Sequence, residues 1–195
     1  MPLFEYVDGA TPLDDTSGLI PTHIHTKAEL DEWEAANILK AARKYLMGRS
    51  KFRADIEWLK RVHKDMLDDT WEWAGKYRDS NVGIGVDWTL IPEQIKNLVE
   101  DVKFWDKGKS GLTTFEQSIR IHHRLVRIHP FKNGNGRHAR LIADIFLRLH
   151  SEKLPKWPDF KLIKEKNMRD KYIKALKEAD KGNHKLLEEF TKRLY

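Results

Sequence analysis

The chain is expected to be all-α, with about seven helices and one short β-hairpin flap. Apolar residues recur at three- and four-residue spacing along most of its 195 residues, and only one segment alternates as a strand would. Hydrophobic residues make up 40% and charged residues 34%, a balance that suits a helix-rich protein with solvated faces.

Residues 1–25 contain Pro2, Gly9, Pro12, Gly18 and Pro21 and read as an arm lying on the domain; residues 26–195 read as one helical domain. Thr26 and Glu29 form a capping box. Leu30, Trp33, Asn37, Ala41 and Tyr45 then recur at helical spacing until Gly48, which places the first helix at 26–47. A second helix carries Ile56, Leu59, His63 and Met66. Trp71, Trp73 and Gly75 lead into Asn81 to Trp88, whose alternation and glycines suit a short hairpin or extended flap. Helices resume with Pro92 in a first turn and Ile95, Leu98, Val99, Val102 and Trp105 on one face. Gly108 and Gly111 break that run. The next helix opens at Thr114, turns Phe115, Ile119, His122 and Val126 inward, and ends before Pro130, because a residue preceding proline avoids helical geometry. After a loop, Leu141, Ile142, Ile145, Phe146 and Leu149 form another stripe. Two last segments carry Tyr172, Ile173 and Leu176, then Leu186, Leu187 and Phe190. No internal repeat interrupts this order.

Composition excludes several classes of function. No apolar run approaches the ~20 residues that span a bilayer, and the start lacks a basic and apolar leader, so the protein is expected to stay in the cytoplasm where it is made. Without cysteine there is no disulfide, thiolate metal site or cysteine nucleophile. Thirty-six Lys and Arg against thirty Asp and Glu give a net charge of +6, which invites phosphate-bearing partners. Acids are interspersed almost everywhere, so the excess reads as solubility charge rather than a nucleic-acid surface. The tryptophans at 33, 58, 71, 73, 88, 105 and 157 read as packing residues, with Trp88 near enough to the flap to touch a ligand.

Chemistry concentrates in the loop from His129 to Arg140, His-Pro-Phe-Lys-Asn-Gly-Asn-Gly-Arg-His-Ala-Arg. Two Asn-Gly pairs are turn signals. A turn alone does not explain Arg137, His138 and Arg140 in the first turn of the next helix, where the macrodipole is already positive. That arrangement repels itself unless an anion is bound. Glycines beside the unsatisfied N–H groups of a helix start let backbone donors approach phosphate oxygens. Arg137 and Arg140, three residues apart, project side by side and could grip a polyphosphate. No Gly-Lys-Ser/Thr follows and no strand precedes, so neither the Walker nor the dinucleotide pattern applies. Two roles are open to His129 from its position: a base titrating near neutral pH, or a structural histidine capping the preceding helix. His122 and His123, read as core-facing and exposed respectively, match no zinc spacing.

The loop resembles the Fic family signature H-x-F-x-(D/E)-G-N-G-R-x-x-R at every fixed position except one. Trp73 to Arg78, Asn81 to Ile84 and Tyr172 to Gly182 resemble the family's lead into its flap and its C-terminal helix, and the arm with the first helix resembles a subgroup called mobile mystery protein B. The resemblance implies a helical domain that transfers AMP from ATP to a Ser, Thr or Tyr hydroxyl of a target protein. Residue by residue, it implies His129 as general base, Phe131 as a buried anchor, and Gly134, Asn135 and Gly136 as an anion hole. It further implies Arg137 and Arg140 on the β- and γ-phosphates, and Val82, Gly83 and Ile84 as the flap that holds the target as an added strand. The exception is Asn133, where the signature has an acid for Mg²⁺ (or Mn²⁺); an amide oxygen is a weaker ligand for a hard cation.

The inhibitory pattern S/T-x-x-x-E-(G/N) of many Fic proteins is absent. The first helix is nevertheless a regulatory candidate, with Glu34 as the residue expected to reach Arg140; the plain alternative is an acid complementing a helix start. If Glu34 does not inhibit, an antitoxin-like inhibitor protein is the next partner to expect, and a homo-oligomer could form through an apolar helix face. Other readings are removal of AMP from a modified protein, with Glu34 aligning water, and a catalytically weak nucleotide- or nucleic-acid-binding module that has lost its metal through Asn133. Nucleic-acid binding would weaken steeply with salt, whereas transfer would depend on His129.

Overall fold

The computed structural model describes residues 16–158 and 166–195. Among these are seven α-helices: α1 (Lys27–Leu46), α2 (Ile56–Leu67), α3 (Ile91–Asp106), α4 (Thr114–Ile128), α5 (Asn135–Leu149), α6 (Lys166–Asp180) and α7 (Lys185–Lys192), with a short 3-10 turn at Trp88–Leu90 before α3. Local chemistry explains most of the starts. Thr26 with Glu29 and Thr113 with Glu116 form complete capping boxes, Asp55 caps α2, and Pro92 lies in the first turn of α3, where its missing N–H costs nothing.

The α4–α5 pair is central. On one side, α1, α2 and α3 pack against it through Leu30, Ala41, Leu59, Val62, Met66, Ile95, Leu98, Ile121, Leu125, Ile142 and Phe146. On the other, α6 and α7 close a smaller core of Ile119, Tyr172, Ala175, Leu176, Ala179 and Leu187 against α4. Phe146 is fully buried, so its truncation to alanine should cost about 3–5 kcal/mol. Of the expected arm, residues 1–15 lie outside the described residues. Its end is tied to the domain by Ile20 N–H on the Thr70 carbonyl and Glu72 N–H on the Gly18 carbonyl.

Four expectations need correction. Asn81 to Trp88 forms no hairpin: the described residues contain only two isolated antiparallel bridges, Leu19 with Trp71 and Tyr77 with Phe131. Positive φ at Gly83 (77°) and Gly85 (88°) bends the segment out of strand geometry, although Val82, Ile84 and Val86 still alternate as its half-buried side chains. His123 is buried, not exposed, because α4 is covered on both sides; its Nε2 lies 2.9 Å from Asp180 of α6. Leu149, assigned to the stripe of α5, is exposed, while Ala139, Ala143 and Leu147 are buried. On α1, Glu34 takes the buried position expected for Trp33, giving an inward row of Leu30, Glu34, Asn37, Ala41 and Tyr45.

Candidate active site

The loop between α4 and α5 is held in shape by its own side chains. Asn135 accepts the Phe131 N–H at 2.9 Å and donates to the Phe131 carbonyl at 2.8 Å, clamping both backbone groups of one residue. Phe131 is buried, and the His63 ring stacks on it at 3.6 Å. Gly75 N–H donates to His63 Nδ1 at 2.9 Å, which fixes the lone pair there and leaves Nε2–H to donate to the Asn133 carbonyl at 3.0 Å. Gly134, at φ 76°, starts the helix where a β-carbon would press on Leu67 and His63. Beyond it, Asn135, Gly136 and Arg137 supply the N–H groups that precede the first intrahelical bond, and no acid stands in that turn.

His129 ends α4 in the left-handed conformation (φ 54°, ψ 59°), an uncommon state for a non-glycine residue that costs on the order of 1–3 kcal/mol. Its backbone N–H caps Leu125, and its carbonyl accepts from Arg78 Nε at 2.7 Å. Its backbone thus caps the helix while its side chain has separate chemistry. Burial first, and the Arg78 charge second, push the ring's pKa down to about 4, opposed by a hydrogen bond to the Val126 carbonyl. The ring is neutral at pH 7. The tautomer that donates to Val126 carries its lone pair on the other nitrogen, the form a proton acceptor needs.

The two arginines are held differently. Arg137 donates to Glu34 Oε2 at 2.8 Å, while Glu34 Oε1 accepts from the Trp71 indole at 2.8 Å. The expected reach of Glu34 to Arg140 is therefore corrected: the acid pairs with Arg137. Helical geometry decides it, because Glu34 faces inward over the first turn of α5. The Arg140 guanidinium lies over the Trp157 ring at 5.6 Å, and a β-carbon on Gly136 would meet its terminal nitrogen at 3.4 Å.

The segment from Asn81 to Trp88 lies against His129. Val86 N–H donates to the Ile128 carbonyl at 3.4 Å, and Asn81 closes the segment by accepting Trp88 N–H at 3.0 Å and donating to Asp87 at 3.0 Å. Val82, Gly83 and Ile84 enter no backbone–backbone hydrogen bond among the described residues.

This constellation has relatives. Residues 53–147 match the Fic/DOC family. The chain carries a Fic/DOC family domain. It is 29% identical over 106 residues to the Caenorhabditis briggsae protein adenylyltransferase fic-1, covering 52% of this chain and 21% of that protein. The Aedes aegypti protein adenylyltransferase Fic is 27% identical over 186 residues, 91% of this chain and 36% of that one. The chain thus spans well under half the length of these curated relatives. The Bartonella tribocorum effector BepC, solved with bound AMPPNP, shares the fold with a TM-score of 0.69 at 20% identity, covering 92% of both chains.

No group of three or more His, Asp or Glu among the described residues could hold an ion, and Asn133 Oδ1 already accepts the Gly134 N–H at 2.7 Å. Three residues escaped the sequence reading as parts of the site. His63 sat on an inward-facing helical row and could have been recognised as a polar group needing buried partners. Trp71 gave no signal beyond its size. Arg78, buried to 2% exposure, is a charged side chain in a glycine-rich stretch, and its environment was invisible in the sequence.

Proposed function

We propose that the Fic/DOC domain is a protein adenylyltransferase, moving AMP from ATP to a Ser, Thr or Tyr hydroxyl of a target protein. The observation that carries it is a neutral histidine at the end of α4, next to a helix start whose first turn offers backbone donors and two arginines. His129 takes the hydroxyl proton as the oxygen bonds to the α-phosphorus. The bond from that phosphorus to the bridging oxygen breaks, and pyrophosphate leaves. Arriving triphosphate brings negative charge beside the imidazole and raises its proton affinity. The N–H groups of Asn135, Gly136 and Arg137, cradled by Gly134, face the α- and β-phosphates, and the Arg137 and Arg140 guanidiniums face the leaving group. The open backbone of Val82, Gly83 and Ile84 takes the target in extended form.

Mg²⁺ or Mn²⁺ would come as the nucleotide complex, its charge met mainly by phosphate oxygens. Glu34 is the inhibitory group: while it holds Arg137, a phosphate must displace it. If Glu34→Gly leaves nucleotide binding unchanged, an antitoxin-like protein becomes the inhibitor to seek. ATP labelled at the α-phosphate and, separately, at the γ-phosphate tests the reaction. Retention of the α label on protein is expected; retention of the γ label alone would overturn the proposal in favour of a kinase.

A further inference from the structure

We propose that Arg78 is a positioning residue that locks the target-holding segment and the histidine base into one frame, an inference resting on the transfer reaction above. The geometry is specific. One buried guanidinium donates from Nε to the His129 carbonyl at 2.7 Å, from one terminal nitrogen to the Ser80 carbonyl at 2.8 Å and Asn81 Oδ1 at 3.4 Å, and from the other to the Val86 carbonyl. Its backbone N–H adds a bond to the Pro130 carbonyl at 2.9 Å. Its acceptors therefore come from both ends of the Asn81–Val86 segment and from the two residues that begin the signature loop.

Those acceptors are carbonyls and an amide. A side chain needed only for volume would be apolar, since burying a guanidinium is costly unless nearly every N–H is met. A planar fork is what reaches several carbonyls at fixed angles, which a lysine cannot match. The contact between segment and base is also direct: a β-carbon on Gly85 would come within 2.5 Å of His129 Cβ and 3.1 Å of Arg78. The segment can sit there only with glycine at 85 and the guanidinium drawing in its ends. An acceptor hydroxyl held along Val82 to Ile84 is thereby referenced to His129 through one side chain.

Three variants test this: Arg78→Met, Arg78→Lys and Gly85→Ala. The first measurement needs no activity. Hydrogen exchange of the amides from Asn81 to Trp88 should lose protection in Arg78→Met relative to the amides of α5, and partly recover in Arg78→Lys. The second measures self-labelling from α-labelled ATP beside ATP affinity by calorimetry. Labelling should fall about 100-fold in Arg78→Met, partly return in Arg78→Lys and fall in Gly85→Ala, with ATP affinity held within about twofold throughout. A general structural role would instead lower ATP affinity and α5 protection together, and would overturn the proposal. Unchanged protection of the segment in Arg78→Met would also overturn it. If neither the wild type nor Glu34→Gly takes up label, the transfer reaction fails and the exchange measurement still decides whether Arg78 locks the segment.

Discussion

The Glu34 carboxylate lies 2.8 Å from the Arg137 guanidinium, joining α1 to the first turn of α5 across 103 residues of sequence. Its other oxygen is taken by the Trp71 indole, so the acid is fully engaged and almost wholly buried. An ion pair in this setting is a poor source of net stability, because desolvation offsets the attraction. In the proposed reaction its consequence is competitive: the carboxylate sits on the guanidinium assigned to the phosphates.

Glu34→Gln keeps a hydrogen-bond acceptor for Trp71 and removes the charge. Calorimetry should show ATP binding tightened by about tenfold, roughly 1.4 kcal/mol, and thermal unfolding should show a lower Tm, since Arg137 loses its partner. Unchanged affinity would mean that Glu34 does not compete with phosphate.

Asn133→Asp should raise turnover at limiting Mg²⁺, because a carboxylate is a stronger ligand than an amide for a hard cation. It should leave the Gly134 cap in place, since an aspartate oxygen can accept the same N–H. The metal-concentration dependence of self-labelling is the measurement; an unchanged dependence would remove any metal role for this position.

Acid should destabilise the fold. His129 and His138 have pKa values pushed down to about 4, His122 to about 3 and His63 well below 6.5, in each case chiefly through burial. Between pH 6.5 and about 4 the unfolded chain therefore binds more protons than the folded one, and stability falls with pH through that window. The slope is up to about 1.4 kcal/mol per histidine per pH unit. Urea melts at pH 7.5, 6 and 5 would show midpoints falling in that order; a flat series would contradict burial of the neutral rings.

Gly134→Ala should damage the loop from within. Its φ of 76° disfavours any β-carbon, and Leu67 would stand 3.0 Å from one. A loss of at least about 1 kcal/mol of stability is expected, together with weaker ATP binding; chemical denaturation and calorimetry check both.

Much of the architecture was legible because it is local. The capping box at Thr26, the Pro92 turn and the inward rows of α2, α3 and α4 follow from short-range spacing, whereas the Thr113 box was passed over for a start at Thr114; the loop from His129 to Arg140 stood out through its glycines and the arginines in a helix start. Pairings across the fold were not. The burial of His123 depends on α6 covering α4 from the far side, and the preference of Glu34 for Arg137 over Arg140 depends on how α1 crosses α5. The hairpin expectation failed for a related reason: alternation in Val82, Ile84 and Val86 records which side chains face inward, not whether a second strand pairs with them. Glu34 did leave a trace, as an acid in register with Leu30, Asn37, Ala41 and Tyr45.

The central claim is that the domain transfers a nucleotide monophosphate with His129 as the base. Incubation with ATP, GTP, CTP and UTP in turn, with Mg²⁺ or Mn²⁺, in wild type, Glu34→Gly and Glu34→Gly with His129→Ala, followed by intact-mass measurement, tests it most directly. A nucleotide-sized mass gain with ATP that drops by a factor of about 10²–10⁴ in rate when His129 is removed is expected. A gain that persists without His129, or no gain with any nucleotide once Glu34 is removed, would contradict the assignment.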